Sequence, residues 1–189
     1  MPPLPDLSIV DAPLPYVPHL ETRPLEQVDL VVIHCTELPD LAAAREYGER
    51  KLYPSGTGNS GHYYIDRDGS VRRYVPDDHI AHHVRGHNAR AIGIELVNAG
   101  RYPHWLDSRR QAMDEAYPDV QIDALVALLH RLAAELPSLR HIAGHQDLDR
   151  GTVAASDDPS LQVRRKLDPG PRFPWPRVLA EVPLHRLTG

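Results

Sequence analysis

A short apolar run that belongs inside a sheet is the feature that most constrains this fold. Residues 28–33 read VDLVVI and are rich in β-branched side chains. A run of this length and kind is typical of a strand that is buried on both faces. Such a strand needs a covering layer on each side, and amphipathic helices can supply it at residues 41–52 and 121–136. The sequence therefore predicts an α/β fold.

Two further segments extend the predicted sheet. Residues 62–75 read as a hairpin whose tight turn uses Gly69, and residues 91–97, AIGIELV, read as another strand. At 189 residues, the chain is long enough to bury one ordinary core. We therefore expect a single domain with a central mixed β-sheet and helices on both sides.

The N-terminal segment has a different composition from the rest of the chain. Seven of the 19 prolines fall in residues 1–24, and each fixes φ and removes a backbone donor. We therefore expect a Pro-rich extended arm at 1–24, followed by the packed domain at 25–189. The long connections at 98–120 and 146–167 are predicted to be loops, and loops of this length are often functional.

Charge and apolar content exclude several classes of protein. The net charge of −5 gives no reason to bind a nucleic-acid backbone, and no apolar run is long enough for a membrane span. The first residues, MPPLPDLSIV, lack a basic region followed by an apolar one, which favours a cytoplasmic location. A periplasmic or extracellular location is the alternative, and the sequence leaves the oligomeric state open.

Glu95 lies within the apolar strand at 91–97. Alternation puts Ile92, Ile94 and Leu96 on one face and Glu95 on the other. An unpaired buried carboxylate costs several kcal/mol or takes a raised pKa, so a strand would hold it there for a partner or for proton transfer. The alternative is that this face of the strand is solvated.

Two adjacent residues follow the first strand. His34 stands at its end and could be either a hydrogen-bonded core residue or a ligand. Cys35 points to the opposite face, so it should not share a metal with His34 and is predicted to be a small buried hydrophobic residue. As the only cysteine, it cannot form an internal disulfide.

Two further motifs lie toward the C-terminus. GHQD occupies residues 144–147, and KLDPGP occupies residues 166–171. In an extended segment the side chains of Lys166 and Asp168 point to the same side. The carboxylate could therefore bind a cation while the ammonium group lies close to the substrate group that the cation polarises. Each motif alone is more typical of a turn than of a site.

Six segments in order carry a joint signal: VVIHCT (31–36), SGHYYIDRDGSVRRYVPD (60–77), AHHVRGHNARAIGIELVN (81–98), the helix beginning at 121, IAGHQD (142–147) and KLDPGPRFPW (166–175). Together they resemble the zinc-dependent N-acetylmuramoyl-L-alanine amidases of the type-2 amidase and peptidoglycan-recognition-protein fold. The resemblance covers roughly residues 28–180.

The resemblance implies a metal site and a reaction. It implies Zn²⁺ held by His34, His145 and Asp168, a catalytic Glu95, and an oxyanion-stabilising Lys166. Two histidines and one carboxylate with an open position also suit zinc hydrolysis on general grounds. The implied substrate is peptidoglycan or a soluble muropeptide, cleaved between the lactyl group of N-acetylmuramic acid and L-alanine.

Substrate contacts are implied at four positions, and the chain departs from the family near them. The contacts are His62, His83, Arg85 and Asn88, with a structural role as the alternative for His62. Where the family has Trp-His-Ala-Gly, this chain has His-His-Val-Arg at 82–85, so a tryptophan of the substrate wall is missing. Residues 152–163 form a longer segment than in compact members, and we expect them to remodel the rim near the site.

Three alternatives accompany this interpretation. A non-catalytic peptidoglycan-binding module of the same fold is possible, although such members typically lack a metal ligand. A zinc deaminase is disfavoured because no cysteine pair exists to build its site. A second metal site could use His79, His82, His83 and His87, but Gly86 interrupts the helix that would align them.

Overall fold

The structure, a computed structural model, describes residues 7–188. Its strands are β1 (Ile9–Asp11), β2 (Leu30–Cys35), β3 (Tyr63–Ile65), β4 (Val71–Arg73), β5 (Ala91–Leu96), β6 (His141–Gly144), β7 (Thr152–Ala154), β8 (Gln162–Arg164) and β9 (His185–Arg186). Its α-helices are α1 (Leu41–Glu49), α2 (Asp119–Glu135), α3 (His145–Leu148) and α4 (Trp175–Glu181).

A mixed sheet of seven strands forms the centre of this described region, in the order β1-β4-β3-β5-β2-β6-β9. The strands from β3 to β9 in that order run parallel, whereas β4 is antiparallel to β3 in the predicted hairpin. Strands β7 and β8 pair separately as a small antiparallel sheet. The predicted single domain with a central mixed sheet is confirmed.

Side-chain alternation divides the packing into two layers. Along β2, Val31, Ile33 and Cys35 pack with the apolar residues of α2 and α4. Leu30 and Val32 belong to a cluster on the opposite face of β2. A further cluster covers the other end of the sheet and includes a residue of α1. The prediction that helices flank the sheet is thus confirmed, and Cys35 is a buried hydrophobic residue as expected.

Local signals set several element boundaries. The Asp40 side chain accepts a hydrogen bond from the Ala43 amide at 2.8 Å and caps α1. Gly69 takes a φ of +84° in the hairpin turn, as predicted. Strand β2 lies two residues later than predicted, because Val28 closes a 3₁₀ turn and pairing with β5 continues to Cys35. The predicted helix at 41–52 ends at Glu49.

The N-terminal segment packs on the domain over much of its length. The arm predicted for 1–24 begins in residues 1–6, which lie outside the described residues. Within 7–24, β1 pairs with β4, and Leu14 and Tyr16 are buried. Arg23 is also buried and donates to the carbonyls of Asn88 and Ala91. The division at residue 25 stays a prediction about domain organisation, but packing against the sheet begins before it.

The segment after β6 is more ordered than the predicted loop at 146–167. It contains most of α3 and the β7–β8 hairpin, whose tip is tied to a neighbouring loop by hydrogen bonds from Ser108 to Asp157. Across residues 7–188, no helix combines the length and the apolar character needed to cross a bilayer.

Candidate functional site

Strand register places the chemically important residues in one row. On the adjacent parallel strands β2 and β5, His34 stands directly beside Glu95. Ile33 stands beside Gly144 on β6, so His145, the next residue, continues the row past His34. Carboxyl ends of parallel strands form a crevice where α/β proteins bind ligands. The candidate site therefore lies at this edge of the sheet.

Three buried side chains meet at the centre of this edge. The Nδ1 atom of His34 lies 3.0 Å from Nδ1 of His145 and 3.0 Å from Oδ2 of Asp168. The His145–Asp168 distance between the same atoms is 3.1 Å. All three residues are 2–4% exposed. Asp168 is brought here by the segment after β8, where its carbonyl accepts from the Gln146 amide.

The donor set fits a divalent metal. Two imidazole lone pairs and a carboxylate oxygen converge on one point, and the other Asp168 oxygen, Oδ1, is buried with no hydrogen-bond partner among residues 7–188. Burial lowers the pKa of His34 to about 4. Burial alone would raise the pKa of Asp168, but the neighbouring His145 and His34 hold it well below its usual range. Both groups therefore favour the deprotonated forms that bind metals.

His83 contacts the far side of His34. Its Nδ1 atom lies 2.9 Å from Nε2 of His34. If His34 offers Nδ1 to a metal, its Nε2–H must donate to His83, which fixes the His34 tautomer and ring orientation. Burial holds the pKa of His83 well below its ordinary value, so its neutral form is available as the acceptor. His83 thus lines the cavity and orients His34.

This contact makes a prediction about metal affinity. We expect His83→Phe, which removes the acceptor, to weaken zinc binding by the ~10–100-fold typical of losing such a partner. His83→Asn should retain most of the affinity because its amide oxygen can replace Nδ1. Competition with a fluorescent chelator measures both, with a melting temperature to verify folding. Its neighbour His82 contacts Tyr53 and serves as control through His82→Phe. Equal affinity in His83→Phe and wild type would contradict the assignment.

Glu95 and Lys166 line the same cavity as His34 and His145. Burial and the nearby Asp168 carboxylate raise the pKa of Glu95 to about 8, while the Lys166 charge opposes this. A carboxyl group with a raised pKa is a stronger base than an exposed one. The structure thus brings the predicted proton-transfer group, Glu95, and the predicted cation, Lys166, to one cavity. The Glu95 side chain is half-buried in the cavity wall.

The cavity is large and polar. It measures about 610 Å³ and has the histidine and aspartate cluster as part of its lining. Tyr47, Tyr53, His82, Arg85 and Arg165 form part of its wall. A space of this size is within the range of small-molecule sites. The tryptophan missing at residue 82 is replaced by His82, which packs edge-on against Tyr53 with ring centroids 5.1 Å apart.

The predicted substrate contact at His62 needs correction. His62 is 0% exposed and does not line the cavity. Its Nδ1 accepts from the Gly93 amide at 3.0 Å, and Nε2 lies 3.1 Å from Nη2 of Arg23. His62 therefore has the structural role that was the alternative to substrate binding, because both of its ring nitrogens have partners inside the fold.

Arg85 and Asn88 differ in their availability. Arg85 is exposed at the cavity wall, and Asn88 also lines it. The Asn88 side-chain oxygen accepts from the amides of His83 and Val84 at 3.0 and 2.8 Å, so it shapes the loop that carries His83. Both remain predictions as substrate contacts.

The histidine cluster does not form a second metal site in the described part of the chain. Within residues 7–188, the potential metal-binding group is His34, His145 and Asp168. His79 pairs with Asp78 and His82 with Tyr53, while His83 turns toward His34. The four histidines lie in an irregular loop, which sends their side chains in different directions.

Sequence reasoning missed a buried acid beside the site. Glu37 is 8% exposed, lines the cavity and pairs with Arg101. The partner is 64 residues away and lies in a loop, so neither periodicity nor a local motif could have revealed the pair. Its position three residues after His34 is the one available hint.

Known proteins resemble this chain in sequence and in fold. Residues 24–171 match the family described as N-acetylmuramoyl-L-alanine amidase. The chain is 31% identical to the 1,6-anhydro-N-acetylmuramyl-L-alanine amidase AmpD of Salmonella typhimurium strain SL1344, with 96% of each chain covered. The crystal structure of a selenomethionine AmpD derivative has a TM-score of 0.66 at 26% identity, covering 92% of this chain and 94% of that one. AmpDh3 of Pseudomonas aeruginosa, solved with an anhydromuramic pentapeptide, has a TM-score of 0.62 at 25% identity, covering 82% and 60%.

Proposed function

The protein belongs to the N-acetylmuramoyl-L-alanine amidase family, and from that membership we propose that its substrate is a soluble 1,6-anhydro-muropeptide. It is a hydrolase, which cleaves the amide between N-acetylmuramic acid and the L-alanine of a stem peptide. The AmpD relatives support a soluble substrate, because they are named for the 1,6-anhydro sugar. The relative from Salmonella typhimurium strain SL1344 aligns over 96% of this chain. A substrate of this kind fits a cytoplasmic recycling role.

Zinc is the metal that this proposal requires. His34, His145 and Asp168 would hold it, and the convergence of their three donor atoms within 3.0–3.1 Å is the observation that carries the proposal. Two nitrogens and one oxygen are a usual protein ligand set for zinc in hydrolases. When bound, zinc supplies Lewis-acid chemistry, polarising a carbonyl and making a water molecule more acidic.

The chain's own residues would handle protons and charge. Glu95 takes a proton from the attacking water and passes it to the nitrogen of the leaving L-alanine. Its raised pKa makes the carboxylate a stronger base, which supports the uptake of the proton from water. Lys166, in the same cavity, would stabilise the negative oxygen that develops on the substrate carbonyl. His83 keeps His34 oriented, while the cavity walls bind the substrate.

Product analysis on two substrates tests the proposed function. We expect purified protein to release free peptide and anhydro-N-acetylmuramic acid from a soluble anhydro-muropeptide at least ~10-fold faster than it solubilises intact sacculi, because a cavity of about 610 Å³ has the size of a small-molecule site. Mass spectrometry of the products measures this, and Glu95→Gln is the inactive control.

Two outcomes would contradict the proposal. Faster hydrolysis of sacculi than of the soluble muropeptide would show that the substrate is the intact cell wall. Binding of muropeptide without any product from the zinc-loaded protein would favour the non-catalytic binding module.

A further inference from the structure

A buried ion pair lies beside the proposed active site. Arg101 is 3% exposed and Glu37 is 8% exposed. The two side chains pair through two bonds, with Nε to Oε1 at 2.7 Å and Nη2 to Oε2 at 2.9 Å. A buried guanidinium needs such a bidentate partner because an unpaired charge in the interior is costly. The pair is thus a fixed element of the fold and not a mobile surface contact.

The remaining Arg101 donors hold the chain that leads to Lys166. Nη1 donates to the carbonyl of Arg164 at 2.9 Å and to Gln111, and Nη2 donates to the carbonyl of Arg165 at 3.3 Å. The five N–H donors of a guanidinium are thereby matched to five acceptor contacts. These two carbonyls belong to the two residues directly before Lys166. Arg101 therefore ties that backbone to Glu37, which follows the His34 strand.

The acid of the pair is held in place from two sides. Glu37 has a φ of +50°, in the left-handed region, and its carbonyl accepts from Trp105 Nε1 at 3.0 Å. A Cβ at Gly100, beside Arg101, would lie only 2.6 Å from Glu37 Cγ. The glycine lets the two loops approach closely enough for the ion pair to form. The geometry of the pair is therefore fixed by contacts that do not involve the Arg164–Arg165 segment.

Asp168 has anchors of its own. Its carbonyl accepts from the Gln146 amide at 2.9 Å, and the next carbonyl, of Pro169, accepts from the Tyr117 hydroxyl at 2.6 Å. The metal ligand is thus fixed from the C-terminal side of the segment. Arg101 fixes the segment on the N-terminal side. The two ends of the short run 166–168 are held independently.

From these contacts we propose that Arg101, held by Glu37, is a positioning residue for Lys166. It fixes the backbone directly before Lys166, a residue that lines the same cavity as Glu95. The catalytic consequence of this inference rests on the proposed function, because it assigns Lys166 to the developing oxyanion. Metal binding, which depends on His34, His145 and Asp168, should not depend on Arg101.

A double-mutant cycle tests the catalytic consequence. We expect Arg101→Gln to lower kcat by about 10–100-fold, as small misplacements of catalytic groups do, with KM changed by less than about threefold. In a Lys166→Met background the same change should alter kcat by less than about twofold, because the group it positions is gone. Zinc content should equal that of wild type.

Arg67→Gln is the matched control. Arg67 pairs with Glu115 on a neighbouring loop and lies outside the cavity lining. It should leave kcat within about twofold in both backgrounds. An unchanged kcat in Arg101→Gln, or an equal loss with and without Lys166, would overturn the proposal.

Lysine labelling gives a readout that needs no turnover. The chain has two lysines, Lys51 and Lys166, so the exposed Lys51 is an internal standard for reductive methylation with formaldehyde. We expect Arg101→Gln to raise the Lys166-to-Lys51 labelling ratio several-fold over wild type and Arg67→Gln. An unchanged ratio would overturn the positioning role.

A second variant covers the case in which Arg101→Gln does not fold. Arg101→Lys keeps the charge but cannot reproduce the planar fork, so it should raise the same labelling ratio in a folded protein. If the wild-type protein fails to cleave muropeptides, the proposed function is wrong. The labelling ratio still tests whether Arg101 positions Lys166, because it needs no turnover.

Discussion

Glu95→Gln should reduce turnover by the ~10²–10⁴-fold typical of losing a general base while leaving the protein folded and loaded with zinc. Glutamine keeps the size of the side chain and part of its hydrogen-bonding capacity but cannot take a proton. Glu95 stands beside His34 in the sheet, yet the cluster of potential metal ligands does not include it. The loss should therefore fall on kcat and not on metal occupancy.

Steady-state kinetics on a muramoyl-L-alanine substrate, with zinc measured in each preparation, checks this expectation. Glu46→Gln is the matched control, because Glu46 lies on the exposed side of α1 and should leave turnover unchanged. Melting temperatures of both variants should stay near wild type. Full turnover in Glu95→Gln would refute the proton-transfer role even though the fold and the family are established.

Asp168→Asn should have a different signature, in which metal and activity are lost together. The carboxylate is 3% exposed, and its Oδ2 lies 3.0 and 3.1 Å from the two imidazole nitrogens. The amide is neutral and a weaker ligand, so zinc affinity should fall by at least the ~10–100-fold that outer contacts alone contribute. Turnover at limiting zinc should fall in proportion to occupancy.

Zinc titration separates this variant from the previous one. Added zinc should restore part of the activity of Asp168→Asn but none of the activity lost in Glu95→Gln. Asp29→Asn is the control, since Asp29 pairs with Arg90 away from the cavity and should keep wild-type affinity. If Asp168→Asn retains wild-type zinc content after dialysis against a chelator, Asp168 is not a ligand.

Local sequence signals predicted strands β2 to β5 and the two longest helices, α1 and α2. The cap at Asp40, the turn at Gly69 and the apolar period of α2 each act over a few residues, so the sequence alone reveals them. The alternation in AIGIELV likewise separated Ile92, Ile94 and Leu96 from Glu95. Element ends were less accurate, because they depend on what each strand pairs with and not on the run itself.

The candidate metal residues became recognisable through the order of several motifs. His34 alone could have been a core histidine, and GHQD or KLDPGP alone could have been a turn. The family resemblance that the six segments carry together implied His34, His145 and Asp168, which the fold brings within 3.1 Å. The same reasoning misplaced His62, since exposure is a property of the packed fold and not of a motif.

The sequence by itself determined the α/β class, strands β2 to β5 and helices α1 and α2, because these follow from short-range periodicity, and the family resemblance supplied the candidate zinc ligands. Tertiary structure alone decided the geometry. The register that sets His34 beside Glu95, and the contact of His83 with His34, depend on how strands and loops align. The Glu37–Arg101 pair joins loops 64 residues apart. Such contacts form only when the whole sheet has assembled, since the backbone between them carries no local preference for meeting.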